Sequence, residues 1–149
     1  EKIVYELVQK AGRYLPADKI HIDKTENPLL WHRSRVKWNQ EVNKAVELEV
    51  YYNEDFQRLP VLAHEVGHLE TLPKLGNISF YCSSEKNLYH AEVVASTWAL
   101  KFLASKGLKG GAFNEAKKLL QGCLDNYYIE LGVPVRYILD SENKNGEGC

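Results

Sequence analysis

His64 and His68 stand four residues apart, with Glu65 directly after the first of them. On a helix, four residues advance the chain by just over one turn, so the two imidazoles rise from the same face. Side chains placed in this way can share one tetrahedral zinc ion at about 2.0–2.1 Å. Glu65 projects beside the pair, within reach of a water on the metal. Zinc lowers the pKa of such a water toward about 7, and a neighbouring carboxylate takes its proton as the water attacks a carbonyl. The His-Glu-x-x-His spacing therefore predicts His64 and His68 as metal ligands and Glu65 as the general base of a metal-dependent hydrolase.

A catalytic zinc takes three protein ligands and keeps a fourth position open. Downstream of His68 the candidates are Glu70, Glu85, His90 and Glu92. Glu70 lies on the same helix but is turned away from the two histidines. Glu92 is preferred, because Ala95, Ser96 and Ala99 follow it at i+3, i+4 and i+7 and line its helix face with small residues. Such a face can pack tightly on the zinc helix and bring a carboxylate to the metal. His90 points elsewhere if Glu92 points inward, and Glu85 sits at a helix start, where a negative charge favours the helix dipole. These two remain the alternatives.

The elements that position these residues are legible from periodicity. On the zinc helix, Leu62, Val66 and Leu69 follow i, i+4, i+7 spacing and form an apolar face distinct from the histidine face. Gly67 costs a helix about 0.8–1.0 kcal/mol relative to alanine, which suggests that another element approaches closely there. Residues 45–52 alternate as a strand, with Val46, Leu48, Val50 and Tyr52 on one side. Asn53 or Asp55 is the expected helix cap, and Pro60 suits the first turn. A strand entering such a helix can form the rim of a cleft to which an extended substrate adds.

Elsewhere, residues 1–11 read as an amphipathic helix and 19–23 as a strand, while 29–38 is an ambiguous strand. Pro73 and Gly76 are expected to end the zinc helix and open a loop through Tyr81. Helices are expected over 84–106 and 114–131. The second carries an apolar stripe of Ala116, Leu119, Leu120, Cys123, Leu124 and Tyr127. Val135 to Leu139 is a short apolar piece, and residues 141–149 read as a disordered tail.

Composition narrows the class. A chain of 149 residues suits a single domain, residues 1–149, with a sizeable core. Its formal net charge of −1 leaves no electrostatic footprint for nucleic acid or an anionic membrane. The Trp31-His32-Arg33-Ser34-Arg35 run is therefore read as a strand with inward aromatics rather than a stacking site for nucleic acid. No apolar run approaches a membrane span and no secretory leader is visible. The chain begins at Glu1 and contains no Met, so its natural start is expected to lie upstream. Three scattered cysteines, Cys82, Cys123 and Cys149, point to free thiols in a reducing compartment.

Leu48-Glu49-Val50-Tyr51-Tyr52-Asn53, followed by residues 58–68, resembles the strand and zinc helix of ImmA/IrrE-type metallopeptidases. Residues 92–99, Glu-Val-Val-Ala-Ser-Thr-Trp-Ala, are similar to that family's Glu-x-x-Ala-Asn-x-Phe-Ala helix, with Ser96 in place of Asn and Trp98 in place of Phe. The resemblance covers residues 45–105. It implies His64, His68 and Glu92 as zinc ligands and Glu65 as the general base. It also implies a cytoplasmic protein, often associated with phages or mobile elements, that cleaves or otherwise inactivates a helix-turn-helix repressor. The expected fold is α+β: a zincin-like, gluzincin-type metallopeptidase domain with a small, mostly antiparallel sheet packed on the His-Glu-x-x-His helix, plus further helices. The rival expectation is a zinc-containing regulatory binding protein with little or no turnover. The residue that would stabilise a developing oxyanion is open among Tyr81, Tyr89, Tyr127, Tyr128, Arg136 and Tyr137.

Overall fold

The alternating stretch predicted as the clearest strand does form the centre of a sheet, and the helix that follows it forms the centre of the molecule. The computed structural model describes residues 2–30 and 33–139. Its architecture is α+β. Helix α1 (Lys2–Ala11) precedes strand β1 (Ile20–Lys24), strand β2 (Arg35–Asn39) and strand β3 (Lys44–Tyr52). Helices α2 (Arg58–Leu75), α3 (Ile78–Tyr81), α4 (Glu85–Ser105) and α5 (Gly110–Leu131) follow. The expected tail at 141–149 and the Trp31-His32 part of the aromatic–basic run lie outside the described residues, as does Cys149.

The sheet is mixed rather than mostly antiparallel. β3 is central, with β1 parallel on one edge and β2 antiparallel on the other. β1 ends where Lys24 pairs with Tyr52, and β2 starts nearby where Arg35 pairs with Glu49. The connection between them therefore crosses from one edge of β3 to the other at the same end of the sheet, which makes the first pair parallel. β2 is also shorter than the expected 29–38. Asn27 Oδ1 accepts from Leu29 N at 3.0 Å and bends the chain into a 3₁₀ turn over Pro28–Leu30 instead.

A bulge corrects the expected facing of β3. Lys37 pairs with Glu47 but Trp38 pairs with Ala45, so Val46 is the extra residue. The alternation resets there. Val46 is exposed, while Ala45 and Trp38 pack against the core and Leu48 and Val50 are fully buried.

Helix α2 is the hub. Leu62, Val66 and Leu69 are fully buried, as their spacing predicts, against Leu48 and Val50 of the sheet, Leu7 of α1, Leu103 of α4 and Leu124 of α5. Each such side chain contributes about 1.5–3 kcal/mol by leaving water. The histidine face is not open to solvent either, since every residue from Pro60 to Glu70 is buried. Pro73 does not end the helix. It lies in the last turn, exposed, and Gly76, at φ +132°, stops the chain three residues later. The expected loop to Tyr81 contains the short helix α3, capped by Asn77. α5 begins at Gly110, four residues before the expected start, and ends at Gly132 in the left-handed conformation.

Candidate metal centre

Two helices bring the site together. α2 is aimed by the reversal after β3, where Asn53 Oδ1 accepts from Phe56 N at 2.7 Å and Asn53 N donates to Phe56 O at 2.9 Å. Neither Asn53 nor Asp55 occupies the cap position, which belongs to Gln57; Asn53 instead fixes the turn that leads to it. α4 starts at Ser84, whose hydroxyl accepts from Asn87 N at 3.2 Å, as predicted for its cap.

α4 then crosses α2 at the small residues. A Cβ added at Gly67 would lie 2.6 Å from the carbonyl oxygen of Ala95, so the two backbones meet where α2 lacks a side chain. This contact accounts for the glycine in a buried helix interior. One turn before Ala95, Glu92 faces the histidines.

His64 Nε2 lies 2.8 Å from Glu92 Oε1, and His68 Nε2 lies 3.2 Å from each oxygen of Glu92. The imidazoles meet edge to face, with centroids 4.7 Å apart. One donor atom from each of His64, His68 and Glu92 falls within 4.8 Å of the others, so this group can hold a metal ion. Two imidazole nitrogens and a carboxylate oxygen are a zinc-type donor set, and the separations approach the roughly 3.3 Å edge of a tetrahedron with 2.0–2.1 Å bonds.

The other candidates are elsewhere. Glu85 is exposed at the start of α4. His90 is exposed and stacks on Tyr81, with ring centroids 5.9 Å apart. Glu70 is buried on the far side of α2 beside Tyr14, whose phenol burial and the Glu70 charge push up.

From the sequence, Ser96 was a small residue on the Glu92 face, standing where the resembled family has Asn, with no role at the site. Its hydroxyl is fully buried and lies 2.9 Å from His64 Nδ1. With Nδ1–H donating to Ser96 Oγ, Nε2 is the nitrogen left for a metal once it gives up the proton it shares with Glu92. The available signal was position: Ser96 follows Glu92 by four residues and so shares its face.

The charges are coupled. Burial alone would lift the Glu92 carboxyl, but the charge of His68 and hydrogen bonds from both histidines hold it far below the usual carboxylate range. Burial alone would lower His68, yet the Glu92 charge and hydrogen bond, with Glu65 behind them, raise it to about 9. Glu65 is raised, chiefly by burial, against the opposing pull of the two imidazoles. A raised carboxyl suits a group that must both accept and return a proton near neutral pH.

Glu65 and His64 open into a cleft of about 280 Å³. Ser34 and Phe56 line one side, and Leu119, Cys123, Asn126, Tyr127 and Glu130 of α5 line the other. The predicted apolar stripe of α5 therefore serves two surfaces: Ala116 and Leu124 lie in the core, Leu119 and Leu120 touch both core and cleft, and Cys123 and Tyr127 line the cleft. Burial, then the charges of Glu65 and Glu92, raise the Cys123 thiol to about 11, so it stays protonated. Ser34 Oγ accepts from Tyr51 N at 2.7 Å and donates to Tyr51 O at 3.3 Å, holding the rim to β3. β3 itself is paired on both sides, so among the described residues it is not an edge to which a strand could add; the edge strands are β1 and β2. Among the described residues, no helix is long and apolar enough to cross a membrane. Comparison with models of known protein families, with curated proteins and with solved structures finds no significant match.

Proposed function

We propose that this chain is a zinc-dependent endopeptidase of the ImmA/IrrE type. The observation that carries the reading is the convergence of His64, His68 and Glu92 beside a buried Glu65 that lines an open cleft. Bound there, zinc would polarise a carbonyl and acidify a water.

The chain's own residues supply the rest. Ser96 orients His64 through Nδ1. Glu65, with its raised carboxyl, takes the attacking water's proton and later delivers it to the leaving amine. The α5 wall and Phe56 flank the reacting atoms and shape the cleft that a substrate would enter. A site that only shapes a surface would have no use for a general base in an open cleft, which favours turnover over a purely regulatory zinc site. From the resemblance in residues 45–105, the proposed substrate is a regulatory protein such as a helix-turn-helix repressor, met in the cytoplasm.

Two variants test this. Glu65→Gln should keep about one zinc per chain, measured by elemental mass spectrometry after dialysis, and lose cleavage; cleavage at the wild-type rate would remove Glu65 from the mechanism. Glu92→Ala should lose most of the zinc. A wild-type chain that holds no divalent metal would overturn the peptidase reading.

A further inference from the structure

Peptide hydrolysis needs a group to receive the negative charge that grows on the carbonyl oxygen, and donors fixed in advance are the effective ones. Six side chains were open for this role in the sequence, and the structure separates them. Arg136 is committed to Asp125, with contacts of 2.7 and 2.9 Å. Tyr89 OH accepts from Tyr137 N at 2.8 Å. Tyr81 stacks on His90. Of the six, Tyr127 alone lines the cleft that holds His64 and Glu65.

α5 places it by helix geometry. Leu119, Cys123, Tyr127 and Glu130 succeed one another along a single face that forms the cleft wall opposite α2. Tyr127 is 37 % exposed, so a ligand in the cleft can reach it. We propose that Tyr127 is a catalytic residue: its phenol O–H donates a hydrogen bond to the substrate carbonyl oxygen as that oxygen becomes anionic. This rests on the peptidase reading above. The proton remains on the phenol and no bond to it breaks; the negative Glu92 and Glu65 and partial burial keep it protonated across the working range.

The test uses the zinc-loaded full chain as wild type, Glu65→Gln and Tyr127→Phe. Two probes are applied: a pool of internally quenched random-sequence peptides, and a phosphinic peptide with small apolar side chains that mimics the tetrahedral anion. Phenylalanine keeps the ring at a rim position, so zinc content and melting temperature should match the wild type. The expected result is a fall in kcat of about a hundredfold to a thousandfold with KM within about twofold. Binding of the phosphinic peptide should weaken by about tenfold or more. If Glu65→Gln abolishes cleavage while Tyr127→Phe cleaves and binds like the wild type, the role of Tyr127 is overturned and the peptidase reading stands. The binding arm decides even where the pool holds no good substrate: equal affinity in the wild type and Tyr127→Phe overturns the assignment. A wild type that neither cleaves the pool nor binds the phosphinic peptide overturns the peptidase reading, and Tyr127 with it.

Discussion

Gly67→Ala tests the contact on which the candidate metal centre depends. The added Cβ would lie 2.6 Å from Ala95 O, 3.2 Å from Ala95 C and 3.3 Å from Ala95 Cα. Ordinary contact begins near about 3.5 Å, so α4 must retreat from α2 by roughly 0.8–0.9 Å at this point. The atoms met are backbone and cannot swing aside. Ala95 is one turn from Glu92, and a ligand tolerates only about 0.2 Å of error in its distance to a metal. The overpacking costs about 1–3 kcal/mol, partly offset by the gain in helix propensity of about 0.8–1.0 kcal/mol. The net expectation is a loss of about 0–2 kcal/mol in urea unfolding of the metal-free chain. Zinc affinity by chelator competition should fall by about 10–100-fold, as for other displaced ligand shells. Gly122→Ala is the control. It makes the same substitution inside α5, where nothing lies within 4 Å of the new Cβ, so only the propensity gain of about 0.8–1.0 kcal/mol remains. A Gly67→Ala chain as stable as Gly122→Ala, with wild-type zinc affinity, would show that the two helices are not held at this contact.

Ser96→Ala removes the partner of His64 Nδ1 and should weaken zinc binding by about 10–100-fold while leaving the fold intact; unchanged affinity in a chelator titration would make the hydroxyl idle. Metal binding should also depend on pH through His68. Its imidazole is raised to about 9 in the metal-free chain, so below that pH it must lose a proton before binding, and affinity should rise by about tenfold per pH unit from neutral toward 9. Calorimetry at pH 7 in buffers of different ionisation enthalpy should show about one proton released from this residue. Stability of the metal-free chain runs the other way: the His68 contribution is full below its ordinary 6.5 and lost as pH rises through about 9. A melting temperature flat over that window, or a slope unchanged in Glu92→Gln, would refute the coupling.

The parts of the site legible in the sequence were those set by spacing along one helix. His64, Glu65 and His68 needed only the rise of α2, and Glu92 was found through the small residues after it because a close helix crossing needs them. What the sequence concealed depended on a partner element. The apolar stripe of α5 implied that Leu119, Cys123 and Tyr127 face something, and periodicity does not distinguish a core from a cleft wall. The parallel pairing of β1 follows from where the 25–34 connection crosses β3, a long-range matter absent from the alternation of 19–23. Val46 was assigned to the buried side because an even alternation was assumed, and the bulge opposite Lys37 and Trp38 breaks it. Pro73 and Gly76 were read together as the helix end, and of the two only Gly76 caps it, with Pro73 held in the exposed last turn.

A carboxylate as the third candidate donor also has an electrostatic reason. His64, Glu65 and His68 are all buried on α2, and burying ionisable groups without compensation costs several kcal/mol. A third histidine would be an adequate zinc ligand, but it would leave a protonated His68 facing another imidazole when no metal is bound. Glu92 reaches both rings through one carboxylate and neutralises that charge. The metal-free chain can therefore fold with the donors already gathered, and only protons need to leave when the metal enters. The same negative charge acts on Glu65, where it adds to burial in raising the carboxyl, and on Tyr127, where it helps to keep the phenol protonated. One residue on α4 thus offers a candidate metal donor, a counter-charge and part of the field that sets the protonation of the groups around the cleft.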